Sequence, residues 1–153
     1  MEQVHVLADH GAWMLYLAGG AYRILPSIHW LLASQALALS CTALPVWWLA
    51  KQAGLGPRQC WLACGLWWLQ PVVFNAALFD FHPETWVMPA FALALWAERN
   101  GRSRLWFGLL LLMLGCRDGL VLITAGMAID LACRRRWRWS LAAGGLSLSL
   151  IHI

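Results

Sequence analysis

Apolar runs alternate with short polar loops along this chain, and the runs have the length of helices rather than strands. A membrane-spanning helix needs roughly 20 apolar residues, and an open sheet edge cannot satisfy its backbone groups in lipid. We therefore predict an all-α fold, a polytopic transmembrane helical bundle forming a single domain over 1–153. Its predicted elements are a juxtamembrane helix at 11–25, membrane helices at 28–50, 60–78, 85–97, 105–116 and 119–133, and an incomplete helix at 141–153.

The composition supports a membrane protein. Hydrophobic residues make up 61% of the chain and charged residues only 12%, whereas a soluble domain carries about 25% charged residues. The formal net charge of +4 does not indicate a nucleic-acid partner, because the basic residues lie in short loops between apolar runs. In that position they favour contact with anionic headgroups, so membrane lipids are the expected partners.

The distribution of basic residues predicts which side each loop occupies. If 11–25 lies along the membrane and 105–133 is a hairpin broken at Arg117, only Arg23 and Arg117 lie on the outer side. The positive-inside rule favours this arrangement over one continuous helix, which would divide the charges evenly. The protein is then a multi-pass cell-membrane protein with Phe79–Glu84 facing outside. The cytoplasmic basic residues would be Lys51, Arg58, Arg99, Arg102, Arg104, Arg134, Arg135, Arg136 and Arg138.

The segment Phe79–Glu84 concentrates ionisable groups in an otherwise apolar region. A bilayer accepts such groups where they pair, face a wet cavity or take part in chemistry. The run 85–97 covers about 20 Å as a helix, which is less than the ~30 Å hydrocarbon core. The segment would therefore lie in a recess that opens to the outside. The predicted cavity is lined by Asp80, His82, Glu84, Arg117 and Asp118, with Asp9 and His10 at its rim.

Three interpretations of this segment stay open. In an extended conformation alternate side chains share a face, so Asp80, His82 and Glu84 would supply three ligands to a divalent cation such as Mn, Mg or Zn. Alternatively, Pro83 makes a turn, and Asp80 or Glu84 caps the helix that begins near Thr85. In the third interpretation the same side chains contact a substrate.

Other polar groups within the apolar runs allow similar alternatives. Arg117 and Asp118 would either neutralise each other at a helix break or leave Arg117 to bind a lipid phosphate. Gln35 is expected to form a hydrogen bond with a neighbouring helix. Gln70-Pro71 and Asn75 are expected to kink the run 60–78 and to line the same cavity.

The string FDFHPE, followed by an apolar helix, a basic loop and an apolar run into a charged pair before Gly, resembles the domain-of-unknown-function 2079 family of predicted membrane proteins. Asp9-His10, ahead of a short apolar stretch that ends at Pro26, also resembles a Gly-Asp-His segment of that family. The resemblance covers nearly the whole chain. It departs at Cys116-Arg117-Asp118, where the family commonly has Lys-Glu-Asp, so only Asp118 carries over.

That family is similar to the GT-C class of integral-membrane glycosyltransferases. The resemblance implies a GT-C-like fold and transfer of a sugar from a polyprenyl-phosphate carrier at the outer face. It also implies a catalytic carboxylate that follows a first spanning helix, and both would lie upstream of Met1. We therefore expect a fragment that is inactive alone. The alternative is a membrane transporter or a non-catalytic membrane scaffold, because short broken helices with polar midpoints also occur in transporters.

Overall fold

The computed structural model of the protein describes residues 12–151, and all of its regular elements in that range are helical. Asp9 and His10 lie outside the described residues. Short 3₁₀ turns at Pro83–Trp86 and Asp118–Leu120 precede two of the α-helices. The α-helices are α1 (Met14–Ile24), α2 (Ile28–Cys41), α3 (Ala43–Gln52), α4 (Pro57–Trp68), α5 (Pro71–Leu78), α6 (Val87–Arg99), α7 (Ser103–Cys116), α8 (Val121–Cys133) and α9 (Trp137–Ile151).

Local sequence signals explain where several of these helices begin. Ser27 is the N-cap of α2, and its hydroxyl accepts a hydrogen bond from the His29 N–H at 3.3 Å. At the start of α4 the Gln59 side chain accepts the Gly56 N–H at 2.9 Å, and Pro57 occupies the first helical position. These caps satisfy backbone donors that a helix start leaves without partners.

Pro71 divides the predicted helix 60–78 into two. It starts α5 at a position where the preceding helix would otherwise continue, and α4 and α5 meet at an angle of 50°. Proline has no N–H and its ring clashes with the preceding turn, so a bend at this position is expected.

Helix lengths do not confirm the predicted polytopic bundle. Within the described residues one continuous helical stretch, Ile28–Gln52, which comprises α2 and α3, is long and apolar enough to cross a membrane, with 25 residues and a mean hydropathy of 1.3. The number rises to two if the bent pair α4 and α5 counts as one span. α7 is apolar but has only 14 residues.

The helices α6 to α9 form two antiparallel pairs around a shared core. α6 packs on α7, α8 packs on α9, and the largest fully buried side chains include Leu110, Met113 and Leu131. A buried hydroxyl pair, Thr124 and Ser147 with their oxygens 2.8 Å apart, joins α8 to α9. The core therefore contains polar contacts between helices as well as apolar packing.

The chain direction places the polar loops at two opposite ends of the bundle. We call the end with the turns 99–103 and 133–137 the basic end. Trp48 at the end of α3 contacts Trp96 at 5.1 Å between ring centroids, which brings the loop after Lys51 to the same end. Phe79–Glu84, hereafter the hexapeptide loop, and the break at Arg117 lie at the other end, the hexapeptide end.

Candidate functional site

A buried glutamine of α2 holds the hexapeptide loop. The Gln35 side chain is fully buried, and its amide nitrogen donates to the Ala76 carbonyl at 2.7 Å. Its amide oxygen accepts the His82 N–H at 2.8 Å. Longer contacts of the same nitrogen reach the Phe79 and Asp80 carbonyls at 3.3 and 3.4 Å. The contact with Ala76 in α5 confirms the predicted hydrogen bond of Gln35 with a neighbouring helix, and the contact with His82 shows that the same side chain also holds the loop.

The loop is further ordered by contacts within itself. The His82 Nδ1 lies 2.7 Å from the Asp80 carbonyl oxygen, so that nitrogen carries the proton in this arrangement. The Thr85 hydroxyl donates to the His82 carbonyl at 2.7 Å. His82 is itself the N-cap position and no side chain caps the turn, so the prediction that Asp80 or Glu84 caps this helix is wrong.

An ion pair joins the loop to the helix break. The Arg117 guanidinium donates to Glu84 Oε1 at 2.9 Å, and 53% of the Arg117 side chain is exposed. The other carboxylate oxygen, Glu84 Oε2, is buried without a hydrogen-bond partner among the described residues. Arg117 has extended backbone angles, and this conformation ends α7 at Cys116.

Within the described residues Arg117 forms its ion pair with Glu84 and none with Asp118, contrary to one of the two alternatives. The Asp118 carboxylate oxygen Oδ1 accepts the N–H of Gly119 at 2.8 Å, while Arg117 turns to Glu84. The two neighbouring residues point to different partners because Arg117 is extended whereas Asp118 begins a 3₁₀ turn.

The predicted metal site finds no support in this geometry. Among the described residues, no group of three His, Cys, Asp or Glu side chains is placed to hold a metal ion. The loop is not a straight strand, so Asp80, His82 and Glu84 do not converge. The imidazole of His82 turns back to the backbone of Asp80, and the carboxylate of Glu84 faces Arg117.

A small cavity adjoins the loop on its α5 side. It has a volume of about 330 Å³, and its walls are mostly apolar. Asn75, His82 and Thr85 are among its lining residues, whereas the other residues predicted to line one cavity with them, Gln70, Pro71, Asp80, Glu84, Arg117 and Asp118, are not. The hexapeptide end therefore offers a cavity on one side of His82 and an exposed arginine on the side of Glu84.

Comparison with known families assigns the chain to one of them. The model of the family described as a predicted membrane protein, DUF2079, matches residues 1–153. The chain belongs to the DUF2079 family. This membership confirms the resemblance drawn from the string FDFHPE, and it makes the protein a predicted membrane protein. No curated protein and no solved structure matches the chain.

The structure of this DUF2079 member contains one buried charge cluster that the sequence did not reveal. Glu98 in the last turn of α6 is 1% exposed. Its carboxylate forms ion pairs with Arg134, at 3.4 Å, and with Arg136, which also donates to the Glu98 carbonyl at 3.2 Å. Glu98 stands directly before Arg99 in a basic stretch, and its local sequence does not distinguish it from the charged residues around it. The only signal was its position at the end of an alanine-rich apolar face.

Proposed function

We propose that the chain is part of a multi-pass membrane domain whose basic end faces the cytoplasm and whose hexapeptide end faces outside. Large apolar side chains on the surface support this placement, with Leu69 80%, Leu122 75% and Leu141 74% exposed. A water-soluble protein rarely exposes so many large apolar side chains.

The buried side of α6 supports the same proposal. It consists largely of small residues, Ala90, Ala92, Ala94 and Ala97, as in helices that pack closely within a bilayer. α6 has 13 residues and is about 20 Å long, so with the basic end at one membrane surface the hexapeptide loop would lie below the other surface.

Within that domain, we propose that Arg117 binds the phosphate of a lipid carrier. The observation that carries this proposal is the Glu84–Arg117 ion pair at a helix break, which leaves the guanidinium half exposed. A guanidinium has five N–H donors, and Glu84 Oε1 accepts from only one nitrogen of Arg117. Phosphate binds the remaining donors of such a group in a bidentate manner. Glu84 thereby orients the guanidinium and leaves its other N–H donors available.

The reaction that suits this site is sugar transfer from a polyprenyl-phosphate carrier by a GT-C-like glycosyltransferase. Such a reaction requires a cation that stabilises the phosphate leaving group, and Arg117 would supply it. The buried Glu84 Oε2 would accept a hydrogen bond from a hydroxyl group of the sugar or of the acceptor. We assign no residue of this chain as the catalytic base.

Transport is the second candidate, and the interrupted helices favour it. The bend of 50° at Pro71 and the break at Arg117 are discontinuities of the kind that line substrate sites in transporters. A transporter would move its solute unchanged, whereas a transferase would break the bond between sugar and phosphate.

Ligand binding by the full-length protein in detergent tests the phosphate site. We expect a polyprenyl monophosphate to raise the unfolding temperature and the matching polyprenol, which lacks the phosphate, to leave it nearly unchanged. Arg117→Gln should weaken phosphate binding about tenfold or more, because a charge-assisted hydrogen bond contributes roughly 1.5–3 kcal/mol. Arg58→Gln removes the same charge at the basic end and should have no effect.

The outcomes separate the two candidate functions. Release of a radiolabelled sugar from its polyprenyl-phosphate carrier, abolished by Arg117→Gln, would support the transferase. Uptake of the solute into proteoliposomes without such release would support transport. Equal stabilisation by polyprenol and polyprenyl phosphate would contradict the phosphate site itself.

A further inference from the structure

A second candidate site lies at the basic end, between the first turns of α7 and α9. It is an open groove of about 750 Å³. Two arginines make the groove basic, and three aromatic side chains form apolar parts of its wall. The lining residues that matter here are Ser103, Arg104, Trp106, Phe107, Arg138 and Trp139.

The groove carries positive charge that nothing else in the described structure neutralises. Arg104 and Arg138 are exposed, and neither forms an ion pair with any residue in 12–151. The buried carboxylate at this end, Glu98, is already paired with Arg134 and Arg136. The two groove arginines therefore remain available for an external anion.

Backbone donors reinforce this charge. Arg104 lies in the first turn of α7 and Arg138 in the first turn of α9, helices of 14 and 15 residues. Within the described chain the N–H groups of both residues lack an acceptor, and no side chain caps α7. Two helix N-termini thus present N–H groups and the positive ends of their dipoles to one groove.

An independent observation points to a ligand. Trp106 is 2% exposed, it lines the groove, and its indole Nε1–H is buried without a hydrogen-bond partner in the described structure. The ring is held edge-on against Trp139, with ring centroids 4.8 Å apart. A buried donor without an acceptor costs free energy, and an oxygen atom of a bound ligand would satisfy it.

We propose that this groove binds the phosphate headgroup of an acidic membrane phospholipid. Arg104, Arg138 and the N-terminal N–H groups of α7 and α9 favour a negatively charged ligand. A lipid, rather than free phosphate, is favoured because Trp106, Phe107 and Trp139 form apolar walls beside the charges. Aromatic side chains next to arginines are typical of protein surfaces at the membrane–water interface, where the lipid headgroups lie. Leu141, one turn further along α9, is 74% exposed and would contact an acyl chain. The site is independent of the phosphate site at the hexapeptide end.

Lipid retention by the full-length protein tests this proposal. We would load the detergent-purified protein with phosphatidylglycerol or phosphatidylcholine vesicles, and count bound lipids by native mass spectrometry. Phosphatidylglycerol should be retained in preference to phosphatidylcholine. Arg104→Gln and Arg138→Gln should each reduce its affinity about fivefold, since one basic residue near an anionic surface contributes on this order.

A matched control and two further outcomes make the test decisive. Arg58→Gln, an exposed arginine at the start of α4 outside the groove, should retain phosphatidylglycerol as the wild type does. The proposal would be overturned if Arg58→Gln lost as much lipid as Arg104→Gln, or if phosphatidylcholine bound equally well. It would also be overturned if millimolar inorganic phosphate displaced the lipid and stabilised the protein to the same extent.

Discussion

Replacing Gln35 by Met should release the hexapeptide loop while keeping nearly the same side-chain length. Gln35 makes two short hydrogen bonds to the loop and its approach, at 2.7 Å to the Ala76 carbonyl and at 2.8 Å from the His82 N–H. Each such bond contributes about 1 kcal/mol, and the half-buried Ala76 carbonyl would lose its side-chain partner. The expected loss of unfolding free energy is therefore roughly 2–3 kcal/mol.

Two assays report this loss. The midpoint temperature of thermal unfolding in detergent should fall by about 5–10 °C, because a loss of 1 kcal/mol shifts this midpoint by roughly 2–4 °C in a chain of this size. Hydrogen exchange, followed by mass spectrometry, should increase at least tenfold for the amides of the hexapeptide loop, because the acceptor of the His82 N–H is gone. Exchange in α9, which Gln35 does not contact, should stay the same.

The neighbouring residue provides a matched control. Within the described residues, the hydroxyl of Ser34 donates to the Leu31 carbonyl of its own helix, at 2.7 Å. Ser34→Ala should therefore change stability by less than about 0.5 kcal/mol and leave the exchange of the loop unaltered. If Gln35→Met were as stable as Ser34→Ala, with unchanged exchange in the loop, Gln35 would not hold the loop and the account of the site would be wrong.

Two further predictions concern packing away from the loop. Glu98→Gln should lower the free energy of unfolding by roughly 2–4 kcal/mol, because it removes the buried negative charge that pairs with two arginines. Asp130→Asn weakens an exposed pair with Arg134 and should cost less than about 1 kcal/mol in the same thermal assay. Gly115→Ala should cost about 1–3 kcal/mol, since a Cβ at this position would overlap the Trp13 indole. In a Trp13→Ala background the Gly115 substitution should be nearly neutral, and an equal cost in both backgrounds would contradict that contact.

The helical fold followed from the sequence because it depends on local patterns. Apolar runs of helical length, basic loops and the polar residues after Cys116 are visible without knowledge of tertiary contacts. The break at Arg117 was inferred from the positive-inside rule, and the structure has a break at that residue. The bend at Pro71 also reflects local chemistry.

The partners within the site could not be predicted, because they join residues far apart in sequence. Gln35 contacts His82 across 47 positions, and Glu84 contacts Arg117 across 33. Local spacing left two alternatives open for each group: an extended hexapeptide loop or a turn at Pro83, and an Arg117 paired with Asp118 or one left to bind a phosphate. The structure has the turn at Pro83, and it pairs Arg117 with Glu84, a residue that local spacing does not bring near.

The placement of the two ends on opposite sides of the membrane is the claim on which the proposed function depends, and cysteine accessibility tests it most directly. Single cysteines at His82, Asn100 and Asp118, in a background that lacks the five native cysteines, would be labelled with a membrane-impermeant maleimide in cells and in inverted vesicles. We predict labelling of Asn100→Cys only from the cytoplasmic side, and labelling of His82→Cys and Asp118→Cys only from outside. Labelling of Asp118→Cys from the same side as Asn100→Cys, or its protection from both sides, would contradict the account.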